Sequence, residues 1–305
     1  MRPFVLGTRG SSLAMCQAQI VQTKLEERFP KRRVELKTIK AHADKNPELP
    51  LVAMGGEGVF VKELEQALAG GEIDAAVHSL KDLPVATPPA LRIAAVLERD
   101  EARDALVSRS GQLLNTLPAG TRVGTSSLRR RSQLLRHRHD LQLLDIRGNV
   151  DTRLRKLDEG QYDAIVVAAC GLIRLGLEAR ITEHLDLSVM LPEPGQGALA
   201  VETRADDRDA LEFMGVLDDP VSRACVEAER AFLQALGGGC RVPIAAYAAC
   251  DGAMLTLDGS VTAADGTASV RGRLQGPVTE PVALGKRLAD QLTAQGATQL
   301  LSGKG

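Results

Sequence analysis

An internal repeat constrains this chain more than any other feature. Leu6-Gly7-Thr8-Arg9-Gly10-Ser11-Ser12-Leu13 has a later counterpart in Val123-Gly124-Thr125-Ser126-Ser127-Leu128. Gly71-Glu72-Ile73-Asp74-Ala75-Ala76-Val77 likewise has one in Gly160-Gln161-Tyr162-Asp163-Ala164-Ile165-Val166. The two signatures recur in the same order. Around them, apolar runs of strand length alternate with helix-period patterns, the mark of βα units and a mostly parallel sheet. Two similar α/β domains therefore fit better than one large sheet, and 305 residues leave room for a third domain.

The first block predicts strands at 4–6, 34–39 and 73–77 and helices at 12–29 and 59–69, the second helix stopped by Gly70 and Gly71. Two segments separate the blocks: the charged stretch 98–103 and Pro192-Glu193-Pro194-Gly195-Gln196-Gly197, whose Pro and Gly content suits a hinge at Gln196. A chain that leaves block one, builds block two and returns crosses twice. The expected domains are 1–98 with 197–217, then 99–196, then 218–305. The last reads as a small α+β domain. Asp219 caps a helix with Pro220 at its first position, and strands follow at 242–249, 255–257 and 269–274, with Asp258-Gly259 as a hairpin turn. A closing helix at 282–301 breaks near Gly296.

Composition excludes several partners. The chain has five Phe, two Tyr and no Trp, too few to stack single-stranded bases, and 38 Lys and Arg against 39 Asp and Glu argue against a duplex binder. No run approaches the ~18–20 apolar residues that span a bilayer, and the start lacks the apolar core of a signal peptide, so a soluble cytoplasmic protein is expected. The cysteines Cys16, Cys170, Cys225, Cys240 and Cys250 are scattered without a Cys-x-x-Cys pair, so no metal site is expected and most read as buried small hydrophobes.

Local chemistry is more telling. Both Gly-Thr turns sit where a strand passes into a helix, a place that favours an anion, although Ser and Thr there also serve as helix caps. Residues 121–156 carry Arg122, Arg129, Arg130, Arg131, Arg136, Arg138, Arg147, Arg153, Arg155 and Lys156 against Asp140, Asp145 and Asp151, a local excess of seven positive charges. A solvated helix face accounts for Arg131, Arg136, Arg138 and Arg155, and less well for Arg129, Arg130 and Arg147. Guanidinium forks grip carboxylates or phosphates at two points, so a ligand with several such groups is implied. Ser79, Lys81 and Asp82 follow a strand of block one, at the sheet edge where loops carry function. A carboxylate beside an Arg-lined cleft makes sense if the chemistry develops positive charge. Cys240 follows three glycines and precedes Arg241, which favours thiolate, yet no His or Asn stands at an acyl-transfer spacing.

Thr8-Arg9-Gly10-Ser11-Ser12-Leu13-Ala14, Val77-His78-Ser79-Leu80-Lys81-Asp82-Leu83-Pro84, Val123-Gly124-Thr125-Ser126-Ser127-Leu128-Arg129-Arg130, Arg147-Gly148-Asn149-Val150, Pro194-Gly195-Gln196-Gly197 and Gly237-Gly238-Gly239-Cys240 together resemble the hydroxymethylbilane synthase (porphobilinogen deaminase) family, in order and spacing. The resemblance implies two domains of type II periplasmic-binding-protein-like architecture with a cleft between them, plus a small α+β C-terminal domain presenting Cys240. It implies a dipyrromethane cofactor held by Cys240 through a thioether and assembled from the enzyme's own substrate. The implied reaction joins four porphobilinogen units head to tail, releasing ammonia, and yields linear hydroxymethylbilane. Asp82 matches the family's catalytic carboxylate. Arg9, Arg129, Arg130, Arg147, Arg153 and Arg174 match positions that bind cofactor or substrate carboxylates, and Ser11, Ser79, Lys81, Thr125 and Ser127 fall in motifs that hydrogen-bond the same groups. The resemblance favours a monomer, with no nucleic-acid or membrane partner. One departure is Gly55-Gly56-Glu57-Gly58, where many members carry lysine in place of Glu57; Lys62 is a candidate to compensate. The competing expectation is a non-catalytic two-domain binding protein for a small polycarboxylate, which leaves Cys240 without a purpose.

Overall fold

The computed structural model describes residues 2–40, 61–238 and 242–302. Among these, the chain runs through β1 (Phe4–Thr8), α1 (Ser12–Arg28), β2 (Val34–Thr38), α2 (Lys62–Ala69), β3 (Ala75–Ser79) and β4 (Leu91–Val96). There follow β5 (Asp104–Ser108), β6 (Arg122–Gly124), α3 (Leu128–His137), β7 (Gln142–Leu144), α4 (Val150–Asp158), β8 (Ala164–Ala168), α5 (Ala169–Arg174) and β9 (Glu183–His184). The remainder comprises β10 (Leu199–Arg204), α6 (Arg208–Gly215), α7 (Pro220–Ala235), β11 (Ile244–Asp251), β12 (Met254–Thr262), β13 (Ser269–Pro277), α8 (Pro281–Ala294) and α9 (Ala297–Leu301).

Two compact units result, Met1–Asp100 with Ala198–Arg223 and Glu101–Gly197 with Ala224–Gly305. The first holds a five-stranded sheet in the order β2-β1-β3-β10-β4, parallel except that β10 opposes its neighbours β3 and β4. The second holds a sheet in the order β7-β6-β8-β5-β9 with β5 as the opposing strand. Each position in one sheet has its equivalent in the other. The opposing strand of the first sheet arrives only after the chain has built the second, which is the double crossing expected from the sequence. These are two similar α/β domains of type II periplasmic-binding-protein-like architecture, followed by a smaller α+β domain.

The repeated signatures have physical causes. Gly7 and Gly124 lie where a Cβ would stand 2.3 Å from Ile73 Cδ1 and 2.9 Å from Tyr162 Cδ1, the residues that precede the two shared aspartates. Those aspartates do the same work twice: Asp74 accepts from Val5 N (2.8 Å) at β1, and Asp163 from Arg122 N (2.9 Å) at β6. Each therefore satisfies a donor on the adjoining strand. Gly71 and Gly160 take φ of +70° and +77°, ending α2 and α4 in the left-handed region.

Two apolar layers flank the first sheet. Ala18, Val21 and Leu25 of α1 pack with Leu6, Val77, Val201 and Phe213 on one face, and Leu64 and Leu68 of α2 pack with Ile73, Ala76 and Leu91 on the other. Full burial of a leucine such as Leu25 or Leu64 stabilises by about 1.5–3 kcal/mol. In the second unit, Val123, Leu106, Val166 and Leu134 form one such layer and Ile165, Val107, Leu154 and Tyr162 another.

The third sheet is the antiparallel meander β11-β12-β13, covered by α7 and α8 through Phe232, Leu284, Leu288 and Leu292. Asp219 caps α7 as expected, accepting from Ser222 N at 2.7 Å, and Gly296, at φ +100°, separates α8 from α9. The expected hairpin turn at Asp258-Gly259 is wrong. Both residues lie inside β12, opposite Tyr247 and Ala246, and the turn falls instead between Asp251 and Met254, with Gly252 at φ +58°. Gly259 serves close packing: a Cβ there would stand 2.7 Å from Cζ of Phe232.

Candidate active site

In both α/β domains the predicted site residues follow the C-terminal ends of parallel strands, where the ladder stops and free backbone groups face outward. In the first unit, Arg9 and Ser11 follow β1, and Ser11 accepts from Ala14 N (3.3 Å) as the cap of α1. Ser79 ends β3, and its Oγ accepts from Nε2 of the buried Gln17 at 2.8 Å. Leu80–Asp82 then form a single 3₁₀ turn, anchored by Leu80 N donating to Ala198 O (3.0 Å). This turn carries Lys81 and Asp82, both half-buried.

In the second unit, Thr125 and Ser127 follow β6. Ser127 caps α3 by accepting from Arg130 N (3.4 Å), and buried Thr125 accepts from Ser127 N through Oγ1 (3.3 Å). The cap role foreseen as an alternative is thus real for both Ser11 and Ser127. It does not use up the group, because a capping hydroxyl accepts while its own proton stays available for a carboxylate.

The arginines divide into two sets. Arg129 and Arg130 are buried and converge on Asp104, the fully buried first residue of β5. Arg129 Nη1 donates to Asp104 Oδ2 at 2.7 Å, and Arg130 reaches Oδ1 through Nε at 3.0 Å. Gln196 Nε2 adds a third donor at 3.0 Å and also binds Ala102 O at 2.7 Å, so the predicted hinge residue joins the two crossing segments. Burial alone would raise the Asp104 carboxyl, but Arg129 and then Arg130 hold it far below the usual carboxylate range. Arg129 and Arg130 are therefore first of all counter-ions to a buried acid. Even so, Arg129 Nε and Nη2 are buried with no hydrogen-bond partner among the described residues.

Arg147 and Arg153 make up the other set. Arg153 Nε donates to Gly148 O at 2.8 Å. Burial, then Arg130 and Arg147, press its guanidinium down to about 10, the mark of positive charge gathered without enough negative charge. Arg174, on α5, donates to Gly197 O at 2.6 Å. Arg138, expected on a solvated face, instead pairs with Asp140 and donates to the carbonyls of Leu114 and Leu117, both at 2.7 Å.

Residues 4–212 match the family model described as "Porphobilinogen deaminase, dipyromethane cofactor binding domain", and residues 223–294 match "Porphobilinogen deaminase, C-terminal domain". Over 300 residues the chain is 50% identical to the porphobilinogen deaminase of Roseiflexus sp. (strain RS-1), covering 98% of this chain and 99% of that protein. The chain belongs to the porphobilinogen deaminase family. The porphobilinogen deaminase of Methylobacillus flagellatus is 48% identical over 301 residues, 99% of this chain and 97% of its own. Among solved structures, the BvgS VFT2 domain of Bordetella pertussis aligns at TM-score 0.41 and 16% identity over 70% of this chain and 84% of its own, a likeness too slight to bear on function.

A dipyrromethane made of two porphobilinogen units brings four carboxylates, and the donors described here suit such a porphobilinogen deaminase cofactor. The unused Nε and Nη2 of Arg129 and the under-compensated group around Arg153 both call for anionic acceptors. Cys240 and Glu57 lie outside the described residues. Among the described residues, no group of three or more His, Cys, Asp or Glu is arranged to hold a metal ion, and no helix is long and apolar enough to cross a membrane. Sequence reasoning missed Asp104 and Gln17. Asp104 left a trace: an acid opening the apolar strand Asp104-Ala105-Leu106-Val107 must find a partner.

Proposed function

We propose that this protein joins four porphobilinogen units head to tail into linear hydroxymethylbilane, priming the chain on a dipyrromethane bound through a thioether to Cys240. The observation that carries this reading is the guanidinium group of Arg130, Arg147 and Arg153 at the sheet edge, with Arg153 pressed down by burial and then by its like-charged neighbours. Each pyrrole brings an acetate and a propionate, so the ligand gains two carboxylates per addition. When bound, the dipyrromethane supplies the free pyrrole α-carbon from which the chain grows.

The chain's own residues divide the remaining work. Arg9, Arg129, Arg130, Arg147, Arg153 and Arg174 hold carboxylates in place, and Ser11, Ser79, Lys81, Thr125 and Ser127 donate hydrogen bonds to them. Asp82 handles the proton: its carboxyl protonates the departing amine as the aminomethyl C–N bond breaks and ammonia leaves. The resulting carboxylate faces the cationic methylene pyrrole and stabilises it. As the new C–C bond forms, Asp82 takes up the proton that the attacking α-carbon loses. One proton is given and one recovered per addition, so the residue is ready for the next.

We assign the chain division 1–98 with 197–217, 99–196 and 218–305, with Gln196 at the hinge, and a cytoplasmic monomer. Asp82→Ala is expected to keep the circular dichroism of the parent and lose at least about 100-fold in turnover. Normal turnover by that variant would remove Asp82 from its role.

A further inference from the structure

Behind the turn that carries Lys81 and Asp82 lies a buried histidine–carboxylate pair that the chemistry above does not use. His78 is the penultimate residue of β3. Strand alternation sends its side chain to the α2 face of the sheet, whereas Ser79 points to the α1 face, where Gln17 holds it. Glu202 lies diagonally across on β10, since Ala200 pairs with His78 and Glu202 with Ala76. The two side chains are 2% and 0% exposed, with Nε2 of His78 3.2 Å from Oε2 of Glu202. Among the described residues, His78 Nε2 and both Glu202 oxygens form no hydrogen bond, so the 3.2 Å approach is an ion-pair contact rather than a hydrogen bond.

A carboxylate and an imidazole buried this way are costly unless a proton lies between them. From α2 the half-buried Glu65 faces the same pair, and burial, then Glu202, push its carboxyl up while His78 draws it down. Arg204, further along β10, is committed elsewhere, to Asp207 and to the carbonyls of Leu68 and Ile73.

We propose that His78 and Glu202 are positioning residues for the reaction: the proton they share fixes the end of β3 on one face of the sheet while Gln17 fixes it on the other. With Leu80 N bound to Ala198 O, the strand end is gripped at three points, and the Asp82 carboxylate follows four residues after His78. This rests on the reading of Asp82 as the catalytic carboxylate.

Glu202→Gln removes the acceptor charge with little change of shape. In the holoenzyme it is expected to retain the bound cofactor and the parent's circular dichroism, to leave KM for porphobilinogen within about threefold, and to lower kcat by about tenfold or more. The pH profile of kcat is expected to shift, and Glu202→Asp to recover part of the rate. In the wild-type holoenzyme, side-chain 1H–15N correlation near neutral pH is expected to show a proton on His78 Nε2, a measurement that stands even if the variant fails to fold. An unchanged kcat and pH profile in Glu202→Gln, or an unprotonated Nε2 in the wild type, would overturn the proposal. An inactive Asp82→Ala beside a normal Glu202→Gln removes the positioning role alone; normal turnover in Asp82→Ala removes the catalytic reading itself.

Discussion

Asp104 has two guanidiniums and the Gln196 amide on its oxygens, and no exposure to solvent. Removing one charge from such a group leaves the others buried and uncompensated, so Asp104→Asn is expected to cost about 3–5 kcal/mol in urea unfolding near neutral pH. The sign with pH follows from the depressed folded-state value: the contribution is complete above the unfolded carboxyl value of about 3.9 and fades as pH falls below it. The gap between variant and parent should therefore narrow in melts taken below about pH 4, and a gap that stays constant from neutral to acid pH would contradict the assignment. Of this arrangement the sequence shows one half. Arg129 and Arg130 stand out because they open a helix, where a solvated face explains them poorly. Their partner lies 25 and 26 positions back in the chain, and nothing local says which of 39 acidic residues it is.

Elements were legible wherever hydrophobic period and punctuation agreed. The βα alternation and the repeat gave both α/β domains, and Asp219-Pro220 gave the start of α7. Boundaries slipped where a polar side chain does the work of a backbone group. The strand expected at 73–77 runs over Ala75–Ser79, because Asp74 turns its carboxylate to Val5 N. The Asp258-Gly259 error has the same character: a turn signal by residue type is a packing device in space, since Gly259 lies under Phe232, and helix-on-sheet contact cannot be read from neighbours in sequence. Gly259→Ala would place a Cβ 2.7 Å from Phe232 and 3.0 Å from Leu288. Such overpacking is expected to cost about 1–3 kcal/mol by thermal or urea unfolding, and an unchanged midpoint would show that α7 is not held that closely.

At the scale of the whole molecule, a formal charge of -1 conceals segregation, for residues 121–156 alone carry an excess of seven positive charges. Some of that excess is internal, spent on Asp104 and Asp163, which lie outside the segment. What remains around Arg147 and Arg153, with the unused donors of Arg129, is the part that suits a ligand rich in carboxylates. The candidate site residues of the first unit stand out as motifs, but the contacts of Ser79 with Gln17 and of His78 with Glu202 do not, because they depend on which face of a sheet each side chain meets. The central claim is that this scaffold builds and holds a primer made from its own substrate. The intact mass of the purified, active protein tests it most directly: it should exceed that of the bare chain by two porphobilinogen units less two ammonia, and Cys240→Ser should lack the addition. A mass equal to the bare chain, unchanged after incubation with porphobilinogen, would contradict it.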